Sequence, residues 1–340
     1  MHRRTRAGRR AAQGFGLVEA MVSLALGLLV VGGAMVIFMG TRQANGSTDN
    51  LSRVAESVRT SHDLLTRELR EAGGTPCDAQ LVASNVLNAA QGVTPSWWAT
   101  WGEGLRGYAG TAAFPGAAIG SAVGERVSGT EAVIVRFGAA LDNVSITAHA
   151  TATQTFTTSI NNHGIAAGDL LMACNYRHGA VFQVTAASTA NGTFVHGTGS
   201  GTPGNCSTSL GPSTPGVCST TSVYQFSAGS LVGRFTVAGW YIGNNGRNDS
   251  GGRSLYRVTR LGVEEVADGV RNLQLRYLID GAADYVAAGA VADWSRVTAL
   301  RMDVTYEGPD ANVATNGNAI NAGRLTRTVG FTINLRNQQS

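Results

Sequence analysis

Lysine is absent from this chain of 340 residues, and charged residues of all kinds make up only 14% of it. All 26 basic residues are arginines, and Arg3, Arg4, Arg6, Arg9 and Arg10 crowd ahead of Gly14. Without those five, 21 bases face 22 acids, and the formal balance moves from +4 to −1. The remaining arginines are thinly spread and form no basic stripe. That excludes a nucleic-acid partner, because the electrostatic footprint such binding requires is missing.

Catalytic signatures are also missing. There is no G-x-S-x-G, H-E-x-x-H, Walker loop or dinucleotide fingerprint. The six histidines (His2, His62, His149, His163, His178 and His196) are scattered, and no two sit at ligand spacing on a helical face. Asp169 and His178 can meet across a hairpin, where a surface polar pair is expected. The chain therefore reads as a non-enzyme with no cofactor and no metal. Cysteine is scarce too: Cys77, Cys174, Cys206 and Cys218. None forms a CxxC and no histidine stands at zinc-finger spacing, which excludes a structural zinc site.

The long apolar run lies near the N-terminus. From Phe15 to Met39 only Glu19 is charged. Those 25 residues make roughly 37 Å of helix, enough to cross a bilayer. A secretory signal places small residues after its apolar core for cleavage. Here the cleavage-like feature, Gly14–Phe15, precedes the core. The basic leader puts the N-terminus in the cytoplasm. A carboxylate just inside an apolar span is costly and needs a partner. A membrane segment ahead of the cysteines implies an oxidising compartment and two disulfides. The favoured pairing joins Cys206 to Cys218 across a Gly/Ser/Thr/Pro-rich loop and Cys77 to Cys174, though four cysteines allow three connectivities.

Beyond Met39 the pattern becomes amphipathic. Leu51, Val54, Val58, Leu65, Leu69 and Ala72 recur at spacings of three, four or seven, with charged residues between them. Gly73, Gly74 and Pro76 end the helix. One helix over about 15–72 is expected, its first half apolar all round and its second half packed on a head. Period-two strands are expected at 132–137, 144–157, 170–174, 180–186, 223–226, 232–242, 254–258, 263–266, 270–279, 297–307 and 325–335. The abundance of glycine, 45 residues, suits many turns. One long helix followed by such strands implies an α+β layer, the helix on an antiparallel sheet. Trp97, Trp98 and Trp101 are read as a cap on the core, with a partner-binding or sugar-stacking patch as the alternative. Asn244, Asn245, Asn248 and Asp249 in the 244–253 tip offer hard oxygens for Ca²⁺ without the spacing of a calcium loop, so a solvated hairpin tip is expected.

Gly14-Phe15-x-x-x-Glu19 followed by about twenty apolar residues resembles the class III signal of type IV pilins and type II secretion pseudopilins. The resemblance implies that a prepilin peptidase cuts between Gly14 and Phe15, that Phe15 is N-methylated, and that Glu19 serves assembly. Cleavage creates an ammonium at Phe15. In a low-dielectric setting Glu19 can neutralise it, within one subunit or across to a neighbour, and the second pairing sets register. Arg253–Arg257, Val270–Tyr277, Asp280–Gly281, Trp294 before Val-x-Ala-Leu-Arg, and the closing Leu-x-Arg…Leu-Arg-Asn resemble PilW-type minor pilins. Gly168–Leu171 and Val181–Val184 are similar to that family as well. The resemblance implies a pilin-like fold: a cleaved leader at 1–14, a membrane or filament-core helix at 15–40, and a periplasmic head at 41–340. Its expected partners are the prepilin peptidase, other minor pilins, the major pilin, a large tip adhesin and, before assembly, inner-membrane lipid. Its expected place is the inner membrane and then the pilus, in support of twitching motility. Two other readings are a J-type pseudopilin of type II secretion and a membrane-anchored periplasmic binding or adhesive domain.

Overall fold

A computed structural model of the chain describes residues 16–77, 81, 83–199, 201–218, 221–247, 251–311 and 323–338. One helix, α1 (Leu17–Arg70), runs unbroken for 54 residues, roughly 81 Å at about 1.5 Å per residue. It contains no proline, and its strong helix formers outweigh scattered glycines. Glu19 sits in its first turn and Arg67 and Arg70 in its last, each complementing the helix dipole. Gly73, at φ 75°, takes the left-handed conformation that closes a helix.

Among the described residues, fourteen strands follow. The first eight are β1 (Ala83–Asn85), β2 (Leu105–Tyr108), β3 (Ala132–Ala150), β4 (Thr155–Thr158), β5 (Leu170–Cys174), β6 (Gly179–Gln183), β7 (Ala186–Ser188) and β8 (Thr193–Val195). The others are β9 (Ser230–Asn244), β10 (Arg253–Thr259), β11 (Gly262–Asp268), β12 (Val270–Ile279), β13 (Val297–Glu307) and β14 (Thr326–Asn334). Eleven of them make one sheet along the path β1-β6-β5-β9-β3-β4-β8-β7, with β2 added on β3 and β10 and β11 added beside β9. Pairing is antiparallel throughout except β1 with β6. A second sheet has the order β12-β13-β14. The result is the expected α+β layout, one long helix on a large, mostly antiparallel sheet.

The long strands β3 and β9 form a spine shared by two lobes. In the proximal lobe, Val54, Leu65 and Leu69 of α1 meet Val133, Val135, Trp240, Leu273, Leu275, Tyr277, Met302 and Ile333 in one core. Each such aliphatic side chain taken out of water contributes about 1.5–3 kcal/mol. The opposite face of the spine carries Ile134, Val237, Tyr241 and Tyr256 in another core, so β3 is buried on both sides over residues 132–138. In the distal lobe, Val144, Ile146, Phe156, Leu171, Phe182, Phe194 and Phe226 form a third cluster.

Three expectations are corrected. The segment 144–157 is a hairpin, not one strand: β3 ends at Ala150, the chain turns, and β4 begins at Thr155. That turn contains no glycine, proline or asparagine, and Gln154 supplies the positive φ of 51°. Residues 223–226 form no strand, because the Phe226 amide donates to His149 Nδ1 at 3.2 Å instead of a ladder. Leu51 is half exposed, while its neighbour Asn50 and Val54 one turn on take the buried face of α1.

Candidate functional site

The two halves of α1 meet different surroundings. From Leu17 to Met39 every large apolar side chain is more than half exposed, and the most apolar window is not buried at all. Ideal β-carbons built on Gly27, Gly32, Gly33, Gly40 and Gly46 meet nothing within 4 Å. This half carries all the apolar surface a membrane or helix bundle requires. Glu19 lies on it, exposed, one turn from the helix start. Gly14 and Phe15 lie outside the described residues, as do Asn248 and Asp249.

The other half is fixed to the head by polar bonds spaced along its length. Asn50 Nδ2 donates to Asp310 Oδ2 at 2.8 Å, and its Oδ1 accepts from the Asp310 amide at 3.1 Å. Ser61 and Tyr306 hydroxyls meet at 2.5 Å, and burial pushes the Tyr306 phenol up to about 12. Glu68 accepts from the Trp240 indole at 2.7 Å and from Arg257 Nη2 at 2.6 Å. Past the helix, the Gly73 amide donates to the Arg136 carbonyl at 2.8 Å. These bonds cover both ends of the docked half, so it is held against rolling as well as sliding.

The four cysteines form two bridges, Cys77–Cys174 and Cys206–Cys218. The first ties the segment after α1 to β5 in the distal lobe. The second closes a loop within the 201–218 segment. Trp97, Trp98 and Trp101 are part-buried against the core behind the spine, with Trp101 edge-on to Phe235 at 6.0 Å. At the 244–253 tip the amides brace the hairpin. Asn244 Nδ2 donates to the Gly120 carbonyl at 2.9 Å, and Asn245 Nδ2 donates to Ser254 Oγ at 2.8 Å. Among the described residues, no three His, Cys, Asp or Glu side chains converge as metal ligands would.

Histidine placement departs from expectation. Asp169 and His178 do not meet: Asp169 pairs with Arg234 at 2.8 Å, and His178 Nε2 lies 2.7 Å from the Leu210 carbonyl. His149 and His196, by contrast, are brought together in the distal core, Nε2 to Nε2 at 2.9 Å. His149 Nδ1 accepts from the Phe226 amide, so its Nε2 carries the proton and donates to His196. Burial lowers His149 to about 4 and His196 to about 3. The sequence carried no signal of this pair, which is 47 residues apart and lies on no shared periodic face.

Residues 9–35 match the family model described as the prokaryotic N-terminal methylation motif. No curated protein and no solved structure matches the chain significantly. Motif and apolar helix together support a type IV pilin-like or pseudopilin protein. The motif implies processing by a prepilin peptidase and assembly with other pilins. It suits a membrane-anchored chain with its head outside the bilayer and a structural role.

Proposed function

We infer that the chain is a minor pilin of PilW type, an assembly or tip-complex subunit of a type IV pilus. The observation that carries this reading is the division of α1: one half fixed to a large head, the other apolar and unpartnered except for a lone acid. Residues 1–14 are the leader, removed between Gly14 and Phe15. Residues 15–40 rest in the inner membrane and then in the filament core. Residues 41–340 are the periplasmic head. Glu19 neutralises the methylated Phe15 amine of a neighbouring subunit, which sets the stagger between helices. The same helix would serve a J-type pseudopilin. The motifs at 253–257, 270–277 and 294–301, which resemble minor pilins, favour the pilus.

Two measurements test the reading. Intact mass of the membrane-extracted protein should equal the chain from Phe15 plus one methyl group, less the four hydrogens of two disulfides. A full-length N-terminus overturns it. Glu19→Ala should leave the head folded and anchored but cut its recovery in sheared pili by about tenfold or more, the loss expected for an uncompensated buried ammonium. Undiminished recovery and twitching argue against an assembly role.

A further inference from the structure

Two arginines of the head are deeply buried, and they are treated differently. Arg126 is fully buried, and its guanidinium donates to three backbone carbonyls: Thr130 at 3.1 Å, Ala112 at 2.9 Å and Ala109 at 2.7 Å. Arg136 is only 7% exposed. Its Nη1 donates to the Glu103 carbonyl at 3.1 Å, while its Nε is buried with no partner. Among the described residues no carboxylate pairs with Arg136. The nearby Glu103 carboxylate is engaged by Arg106 at 3.0 Å. Arg136 is thus a buried guanidinium with no carboxylate of its own, beside a half-exposed Arg106–Glu103 pair. Buried charges are ordinarily paired, and a bidentate carboxylate is the natural complement of a guanidinium.

Arg136, Arg106 and Glu103 line a hollow of about 450 Å³, together with Trp101, Tyr108 and Pro115, and the two arginines leave it one positive charge in excess. A larger hollow of about 760 Å³ adjoins it and shares Thr100, Trp101 and Gly102. Trp101 thus stands between two parts of one trough. The larger part presents hydroxyl and amide side chains from Asn85, Ser213, Thr214, Ser295 and Asn337, with the Asp280–Arg296 ion pair also on its wall. A cationic end, an aromatic ridge and a hydroxyl-rich remainder form one sequence of chemistries along the trough.

We propose that this trough binds an acidic oligosaccharide, with a uronate carboxylate on Arg136 and Arg106, a ring against Trp101, and further hydroxyls in the larger hollow. A carboxylate supplies the counterion that Arg136 lacks. The apolar face of a pyranose ring suits an indole, and neighbouring hydroxyls suit the polar lining. An acidic protein side chain would satisfy the guanidiniums but would leave the larger hollow without a matching ligand. The inference concerns the head alone and does not rest on the filament reading.

Calorimetry and tryptophan fluorescence on the full chain in detergent test it, with trigalacturonate, maltotriose and triglutamate as probes. Trigalacturonate should bind at least about tenfold more tightly than maltotriose. Arg136→Gln and, at the exposed rim, Arg106→Gln should each weaken it several-fold or more. Arg106→Gln keeps the test open if the buried variant fails to fold. Trp101→Ala should weaken binding and abolish the fluorescence change. Equal binding of the neutral and acidic sugars overturns the proposal, as does indifference to Arg106→Gln and Trp101→Ala. So does an absence of trigalacturonate binding at millimolar concentration. Binding of triglutamate alone overturns it in favour of a protein carboxylate.

Discussion

The proximal and distal lobes share β3 and β9 but are held together by different means. Around β12, β13 and β14, apolar residues alternate regularly, and α1 closes the layer with Leu65 and Leu69. Around β4, β5, β6 and β8, strands are short, and the core is a stack of Phe156, Phe182, Phe194 and Phe226 interleaved with His149 and His196. Both disulfides touch the distal side, and none lies among β9–β14. The lobe with less regular secondary structure thus relies on covalent closure and on imidazoles kept neutral by burial. The difference teaches that a single sheet can carry one half by pattern and the other by specific long-range contacts.

Removing the bridges should sharpen this contrast most. Cys77–Cys174 spans 97 residues and Cys206–Cys218 spans 12. Loop-closure entropy assigns the first about 4.7 kcal/mol and the second about 3 kcal/mol. Paired alanine substitutions followed by denaturant titration check the order, and the larger loss should fall on distal amides. Phe156→Ala should cost about 3–5 kcal/mol and Leu69→Ala about 2–5 kcal/mol. Hydrogen exchange should show separate sets of deprotected amides, distal for the first and helix-side for the second. Loss of protection across both lobes in either variant would break the comparison.

Acid should act next. His149 and His196 titrate in the folded chain near 4 and 3 because burial disfavours the charged ring. In the unfolded chain they titrate near their ordinary value of about 6.5. The unfolded state therefore takes up protons first as pH falls. The stability they contribute is fully present above about pH 6.5 and is lost on the way down toward 4, on the order of 3 kcal/mol for each ring. Unfolding midpoints at pH 7 and pH 4.5 measure it, and a loss confined to the proximal lobe would contradict the assignment. Ser61→Ala should have the smallest effect. It leaves the buried Tyr306 hydroxyl unbonded at a cost of about 1–3 kcal/mol, and the change should be felt at the docked half of α1 alone.

The same division governs how much was legible beforehand. Strands β12 and β13 and the burial of Leu273, Leu275, Tyr277, Leu300, Met302 and Val304 follow from strict alternation beside one packed face. The docked stripe of α1 was readable through Val54, Leu65 and Leu69, and failed only at Leu51, which is half exposed beside buried Asn50. In the distal lobe the signal weakened. The β3–β4 turn uses Gln154 where a glycine would have marked it. Residues 223–226 look like a strand by composition but cross the core as a loop bonded to His149. The tryptophan cluster was expected to cap a core, as it does, but its place beside Arg136 in a trough was not foreseeable from spacing.

What the sequence by itself determined is local. A basic segment, Gly14–Phe15, Glu19 and a long apolar run lie consecutively, and helical geometry alone converts the apolar run into an exposed rod with one acid near its start. Tertiary structure decided the rest: which cysteines meet, which histidines hydrogen-bond to each other, and which arginine has no carboxylate partner among the described residues. Those depend on residues such as His149 and His196, or Arg136 and Trp101, that no period along the chain relates. Only closure of the sheet brings the two histidines within bonding distance and sets Arg136 and Trp101 on one hollow, and only burial lowers the histidines' affinity for protons.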